Sequence, residues 1–210
     1  MSKQLLDLTT WNRRDHFHFF NKFEEPFFGI CTEVEVTKAY DISKELGTSF
    51  FLYYLYQSLA AANHIPAFRY RIEGEQVFFY DKVNASPTIN RPNGTFGFSY
   101  MEYFDTFEEF EQQAVLEMTR VQQGEGLELT SSNDNIIHYS SIPWIRFTSL
   151  SHARAFSFKD CIPKISFGKM HASGDKKWMP VSIHAHHALM DGYEVGMLLD
   201  RFQGLLDGDK

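Results

Sequence analysis

Residues 179–192 read Met179-Pro180-Val181-Ser182-Ile183-His184-Ala185-His186-His187-Ala188-Leu189-Met190-Asp191-Gly192. Alternate side chains of a strand point to opposite faces, so Val181, Ile183, Ala185 and His187 share one face and Ser182, His184 and His186 the other. The alternation then stops. Asp191 is a residue type that caps helix N-termini, and Gly192 permits unusual backbone angles. The stretch reads as a strand, a tight turn and the start of a helix that runs to about Leu206. His187 stands at the strand end just before the turn, where a general base can be held rigidly beside a cleft. Spacing alone fits a satisfied core histidine, with Asp191 as a helix cap, equally well. His184 and His186 share a face as a ligand pair would. No Cys or carboxylate is spaced to complete the set, so no metal is expected.

Working outward, 30–38 (ICTEVEVTK) alternates at period two and predicts a strand with one wet face. Residues 11–23 follow Thr9-Thr10 and predict a short helix. Asp41 to Asn63 carries Ile42, Leu46, Phe50, Tyr53, Tyr54, Leu55 and Leu59 and then three alanines, which predicts one long buried helix. Residues 67–72 and 76–80 flank Glu73-Gly74-Glu75 and predict a hairpin. A strand is expected at 96–103, and an amphipathic helix at 106–123 capped by Asp105 or Thr106. A polar loop is expected at 124–135, then strands near 136–149, 163–171 and 179–187. Strands and helices mix without strict βαβ repetition. The fold class is therefore α/β, one domain over residues 1–210 with a mixed β-sheet covered by helices.

The 210 residues are 43% hydrophobic and 16% aromatic, with 21 phenylalanines, which suits a single buried core with ring-lined pockets. A net charge of −7 with no basic run longer than two residues argues against nucleic acid or an anionic membrane as partner. Cys31 and Cys161 form neither a disulfide framework nor a zinc site and are read as reduced thiols. With no secretory signal and no apolar stretch near ~18 residues, the expected setting is the cytoplasm.

His186-His187-Ala188-Leu189-Met190-Asp191-Gly192-Tyr193-Glu194-Val195-Gly196 closely resembles the HHAxxDGxHVG signature of chloramphenicol acetyltransferases. HxxxDG alone is shared with dihydrolipoyl acyltransferases and with condensation domains of peptide synthetases. Further landmarks narrow the choice. Trp11-Asn12-Arg13-Arg14-Asp15-His16-Phe17 looks like the family's W-x-R-[KR]-E-H-F, and Ile65-Pro66-Ala67-Phe68-Arg69 its HPEFRM. Ser140 to Ser149 resembles S-A-x-P-W-x-x-F-x-S. Phe167-Gly168-Lys169 resembles M-[GA]-K, and Gly174-Asp175-Lys176 with Met179-Pro180 resembles GDK…MP. These come in order over nearly the whole chain.

The resemblance implies a two-layer sandwich in a compact homotrimer, with active sites at subunit interfaces and acetyl-CoA as co-substrate. By match, His187 is the general base and Ser140 the oxyanion donor. Asp191 pairs with Arg13 as buried support of the site, and Ser166 keeps the hydroxyl of a threonine that places a water. Phe20, Phe28, Leu150 and His152 match the acceptor pocket; Lys169 and Trp144 match the CoA site. The chain departs from the family mainly where specificity lies. Leu150 replaces a ring, His152 an apolar residue, Arg154 adds a charge, and Ser49 stands where a CoA-binding lysine is usual. The implied function is O-acetylation of chloramphenicol or a related small molecule. The alternatives are an acetyltransferase for a more polar acceptor and a non-enzymatic trimeric binding protein of the same fold.

Overall fold

A computed structural model describes residues 2–127, 135–157 and 159–209. Two sheets organise the chain. The larger has seven strands: β2 (Phe27–Glu35), β5 (Asn84–Asn90), β6 (Phe96–Phe98), β7 (Ile136–Ser141), β8 (Lys164–Phe167), β9 (His171–Ser173) and β10 (Lys176–His186). Their order is β2-β10-β8-β7-β5-β6, with β9 paired beside β10. The β2, β10 and β8 neighbours are antiparallel, β8, β7 and β5 are parallel, and β5 and β6 antiparallel, so the sheet is mixed as expected. The smaller sheet is β1 (Lys3–Leu5), β4 (Gln76–Tyr80) and β3 (Tyr70–Glu73), closed by a hairpin turn in which Gly74 has φ +63°. Positive φ is what glycine supplies there.

The β10 alternation works as the sequence reads. Val181, Ile183 and Ala185 are at most 1% exposed and face the helices, while His184 lies on the opposite face. The main core sits between this apolar face and α2 (Thr37–Glu45), α3 (Phe50–His64), α4 (Phe107–Gln123) and α5 (Gly192–Leu206). A second, smaller core joins Phe17 of α1 (Arg14–Phe20) to Val77, Cys161, Ala188 and Leu189. The turn after β10 is thus plugged into two cores at once, with Met190 in the larger and Ala188 and Leu189 in the smaller. No described helix is long and apolar enough to cross a membrane.

Several expectations need correction. The single helix over 41–63 is two helices. Gly47, at φ +69°, ends α2 by bonding its N–H to Lys44 O, and Thr48 N–H bonds to Ser43 O, which makes a left-handed helix stop. The strand at 30–38 is displaced to Phe27–Glu35, because Val36 already begins the turn into α2. The first arm of the hairpin begins at Tyr70, after a 3-10 turn at Pro66–Arg69. Strand 136–149 ends at Ser141, strand 163–171 splits into β8 and β9, and the last strand starts at Lys176 and ends at His186. The strand at 96–103 shortens to β6 with an isolated bridge at Met101. Strand β5, which holds Pro87, was not expected at all. Most of the loop expected at 124–135 lies outside the described residues. Helix α4 agrees with its expectation, capped by the Thr106 side chain accepting from Glu109 N–H.

Candidate active site

His187 is fixed through both its backbone and its ring. Its N–H donates to Pro26 O at 2.8 Å, and its carbonyl accepts from Arg13 Nη2 at 3.0 Å. Arg13 lies one residue ahead of α1. Its other terminal nitrogen, Nη1, donates to Asp191 Oδ2 at 2.9 Å, so one guanidinium spans the turn from His187 to Asp191. Asp191 also caps α5: its side chain accepts from Tyr193 N–H at 2.9 Å, and Glu194 accepts from Asp191 N–H at 2.8 Å in a reciprocal capping box. The helix-cap and ion-pair readings of Asp191 therefore both hold. Arg13 beside it, helped by the Tyr193 N–H, holds the carboxyl down at about 2. The expected burial of this pair is only half met, since the Asp191 side chain is 38% exposed against 12% for Arg13.

The His187 imidazole packs between two phenyl rings. Phe20 stacks on it at 4.2 Å and 9° between planes, and Phe28 leans on it at 4.7 Å and 43°. Its Nδ1 is enclosed without a hydrogen-bond partner among the described residues, which leaves Nε2 as the nitrogen open to a reactant. A ring held this way cannot swing out of reach of a substrate, which is what general-base chemistry asks of it.

Ser140 belongs to a different cluster. Register aligns Ser140 on β7 with Ser166 on β8 and Ser182 on β10, a row of hydroxyls across the sheet face away from the helices. Ser166 Oγ is buried without a partner, and Ser140 is half-exposed. His187 is two strands across and five residues along from Ser140, about 19 Å by strand geometry. One chain therefore does not bring His187 and Ser140 together. Leu150 and His152 lie at His184 on the same sheet face as Ser140: the His184 ring bonds the Leu150 backbone, and His152 packs on His184. The expected acceptor pocket is split, with Phe20 and Phe28 at His187 and Leu150 and His152 at the sheet face.

A cavity of about 530 Å³ opens between α3, α4 and the ends of β5, β7 and β8. Phe50, Phe51, Tyr54, Met118, Met170 and Lys169 line it, with Ser141, the neighbour of Ser140. Tyr54 OH and Ser141 Oγ are 2.8 Å apart, and burial pushes the tyrosine up to about 12. Lys169 stands at this cavity; Trp144, 65% exposed, lies outside its lining, although Pro143 beside it takes part. The size suits a small-molecule site. Among the described residues no group of three or more His, Cys, Asp or Glu side chains converges to hold a metal. The sequence reading missed the cavity, whose lining comes from six separate segments. It also missed the packing of His184 over Gly29 and against His152, since the partner strand under its ring is not visible in the run that contains it.

The family model for chloramphenicol acetyltransferase matches residues 1–203. The chain belongs to the chloramphenicol acetyltransferase family. The family's members use acetyl-CoA as co-substrate, and the chain is an acyltransferase enzyme of this kind. A chloramphenicol acetyltransferase of Proteus mirabilis is 27% identical, over 97% of this chain and 94% of that one. One of Staphylococcus aureus is 26% identical, over 98% and 97%. A solved structure of a chloramphenicol acetyltransferase superposes with a TM-score of 0.90 at 31% identity, covering 98% of this chain and all of that one. A probable dihydrolipoamide acetyltransferase from Listeria monocytogenes, at 13% identity and a TM-score of 0.67, shares the fold.

Proposed function

We propose that the protein transfers the acetyl group of acetyl-CoA directly to a hydroxyl of chloramphenicol or a related small molecule, with His187 as general base. The observation that carries this is the His187 ring, clamped by Pro26, Arg13, Phe20 and Phe28 with Nε2 open. The acceptor oxygen attacks the thioester carbonyl while its proton passes to Nε2. The new C–O bond gives a tetrahedral oxyanion that the Ser140 hydroxyl stabilises. The C–S bond then breaks, and the departing thiolate takes the proton back from His187 to leave CoA as the free thiol. No acyl-enzyme forms. A neutral imidazole can supply ~10²–10⁴-fold in such a step, and a lost oxyanion donor costs ~10²–10³. Ser166, whose hydroxyl is buried and unpartnered, is suited to hold a water beside the oxyanion.

The cavity at Lys169 would take the pantetheine arm, which reaches the end of β7 at Ser141, next in sequence to the oxyanion donor. Lys169 is its basic group for a CoA phosphate, and Trp144 at the rim would cover the exposed part of the arm. The ~19 Å between His187 and Ser140 in one chain supports an assembly of copies, the homotrimer that the family resemblance implies, in which His187 of one copy meets Ser140 and the cavity of the next. Proton transfer and oxyanion binding both need contact near ~3 Å, which a single copy does not supply.

The deciding experiment follows CoA thiol release from acetyl-CoA with chloramphenicol at about pH 7.5, for wild type and His187→Ala. Acceptor-dependent release that vanishes in the variant is expected. Equal release by His187→Ala would remove His187 as the base. Release without acceptor dependence would remove the transfer itself.

A further inference from the structure

The sheet face that carries Ser140 holds a second polar row, which the transfer chemistry does not use. Next to the Ser140–Ser166–Ser182 row and on the same face lie His138, Lys164 and His184, ending over Gly29 of β2. The His184 ring occupies the space above Gly29 so closely that a Cβ there would meet Nε2 at 2.6 Å and Cδ2 at 2.8 Å. Only glycine leaves that room. His152 closes on His184 edge to face, with ring centroids 4.8 Å apart and 88° between planes. Ser182 Oγ lies 3.3 Å from His184 Nδ1 and ties the ring to the hydroxyl row. His152 Nε2 is enclosed with no hydrogen-bond partner among the described residues.

The charged groups around this pair already have partners. Lys164 Nζ donates to Asp160 at 2.5 Å and to Ile162 O at 3.0 Å. Arg154 is bonded to Glu25 and covers the Phe27 ring, 3.7 Å from its centroid. Burial holds the His152 imidazole down at about 4, and His184, Lys164, His138 and Arg154 push it the same way. Burial also lowers His184; Lys164 and Arg154 add to this, while the Leu150 carbonyl and Glu25 oppose it. Both rings are neutral at pH 7. A neutral imidazole presents one N–H and one lone pair; Ser182 and the Leu150 carbonyl engage the His184 ring, so it is His152, held in place by His184, that can meet a hydrogen-bonding group.

We propose that the His152–His184 pair over Gly29 selects the acceptor: it favours a molecule whose end remote from the reacting hydroxyl carries a neutral hydrogen-bonding group, an amide or hydroxyl, over one ending in an apolar group. This rests on the reading of Ser140 as oxyanion donor. His184 is two strands across and two residues along from Ser140, about 12 Å, the length of a small aryl alcohol. An apolar end seated there leaves His152 Nε2 unpaired, whereas an amide satisfies it. An anionic end is disfavoured because both cations are already paired with carboxylates.

The test uses two chloramphenicol analogues in which the ring nitro group is replaced by carboxamide or by methyl. The kcat/KM ratio of carboxamide to methyl is measured for wild type, His152→Leu, His184→Leu and Gly29→Ala. Wild type is expected to favour the carboxamide by about tenfold or more. Each histidine variant should bring the ratio to within about twofold of one. Gly29→Ala keeps both imidazoles but displaces the His184 ring, and should lower the ratio in the same direction. A wild type that prefers the methyl analogue, or a ratio unmoved by His152→Leu and Gly29→Ala, overturns the proposal. The wild-type ratio stands even if a variant fails to fold. If no acceptor gives thiol release, the transfer reading falls separately, and calorimetric affinities of wild type for the two analogues still decide the selectivity.

Discussion

Around His187 the backbone is bonded at both its N–H and its carbonyl, and the ring touches a phenyl group on each side. Around His152 and His184 the rings meet chiefly each other, and one nitrogen has no partner. His184 lies in β10 and His187 just beyond its end, three residues apart in sequence. The difference is in what holds them. The turn is anchored by a guanidinium and two hydrophobic cores, which suits a group that must sit at one place for every substrate. The sheet face is left with unspent hydrogen-bonding capacity, which suits a surface that a particular ligand completes.

The largest expected effect tests whether these two regions work together only across copies. His187→Ala should lower acetyl transfer by ~10³-fold or more, and Ser140→Ala by ~10²–10³. Refolding the two impaired variants together should restore activity if the proposed trimer holds, because a mixed assembly would contain an interface with an intact Ser140 on one copy and an intact His187 on the other. Thiol release from the mixture, compared with each variant alone, reads this directly. A mixture no more active than its parts, with mass spectrometry showing mixed trimers, would place the site within one chain.

Acid should protonate the buried histidines of both regions before it reaches the Asp191 carboxylate. His138 on the sheet face and His186 at the turn are both held down at about 4 by burial, well below the usual ~6.5. In each the folded pKa lies below the unfolded one, so the unfolded chain binds more protons between those values. The stability they support is complete above pH ~6.5 and declines as pH falls toward 4. The ceiling is about 3 kcal/mol for each. His186 also accepts the Ala188 N–H at its Nδ1, 3.2 Å away, a bond that protonation removes. Asp191, held at about 2 by Arg13, contributes above pH ~4 and is lost only as pH falls from there toward 2. Urea midpoints measured from pH 7 to pH 3 should therefore fall in the histidine window first. His138→Asn and His186→Asn should each flatten that decline, and an unchanged slope in both would remove these two histidines as its cause.

The turn was legible in the sequence and the sheet face was not, for a physical reason. Much of the turn lies in two short runs, Arg13 to Phe20 and His186 to Asp191. Residue types and spacing gave a capping aspartate and a strand-end histidine, the family resemblance gave the Arg13–Asp191 pairing, and the Pro26 and Phe28 contacts come only from the fold. The pair over Gly29 arises from register. His184 faces Gly29 only because β10 and β2 pair in one alignment, and His152 arrives from a loop more than thirty residues away. Strand β5 escaped notice for a related reason. Asn84-Ala85-Ser86-Pro87 has no apolar alternation, and Pro87 argues against an interior strand. The fold tolerates it by using the Pro87 carbonyl instead, which accepts both the N–H and the Oγ of Ser99. The division of α2 from α3 did carry a signal, Gly47 ahead of Thr48-Ser49, but the unbroken apolar spacing on either side masked it.

The smallest expected effect asks which half of the Arg13 clamp matters. Arg13 contacts both Asp191 and the His187 carbonyl, and its side chain is the more buried partner. Asp191→Asn keeps an oxygen for the Tyr193 N–H, so the helix cap survives, and it removes only the charge of a pair that solvent partly screens. Its cost should be within about 1 kcal/mol of stability, with kcat reduced by a few-fold at most. Arg13→Lys loses the fork that reaches both partners, since an ammonium cannot span a carboxylate and a carbonyl in the same plane. It should therefore lower kcat more than Asp191→Asn does, while leaving the KM for acetyl-CoA in place, because the cavity at Lys169 is built from other elements. If Asp191→Asn proves the more damaging, the ion pair and not the carbonyl bond positions the base, and the turn is held by its charge more than by its backbone.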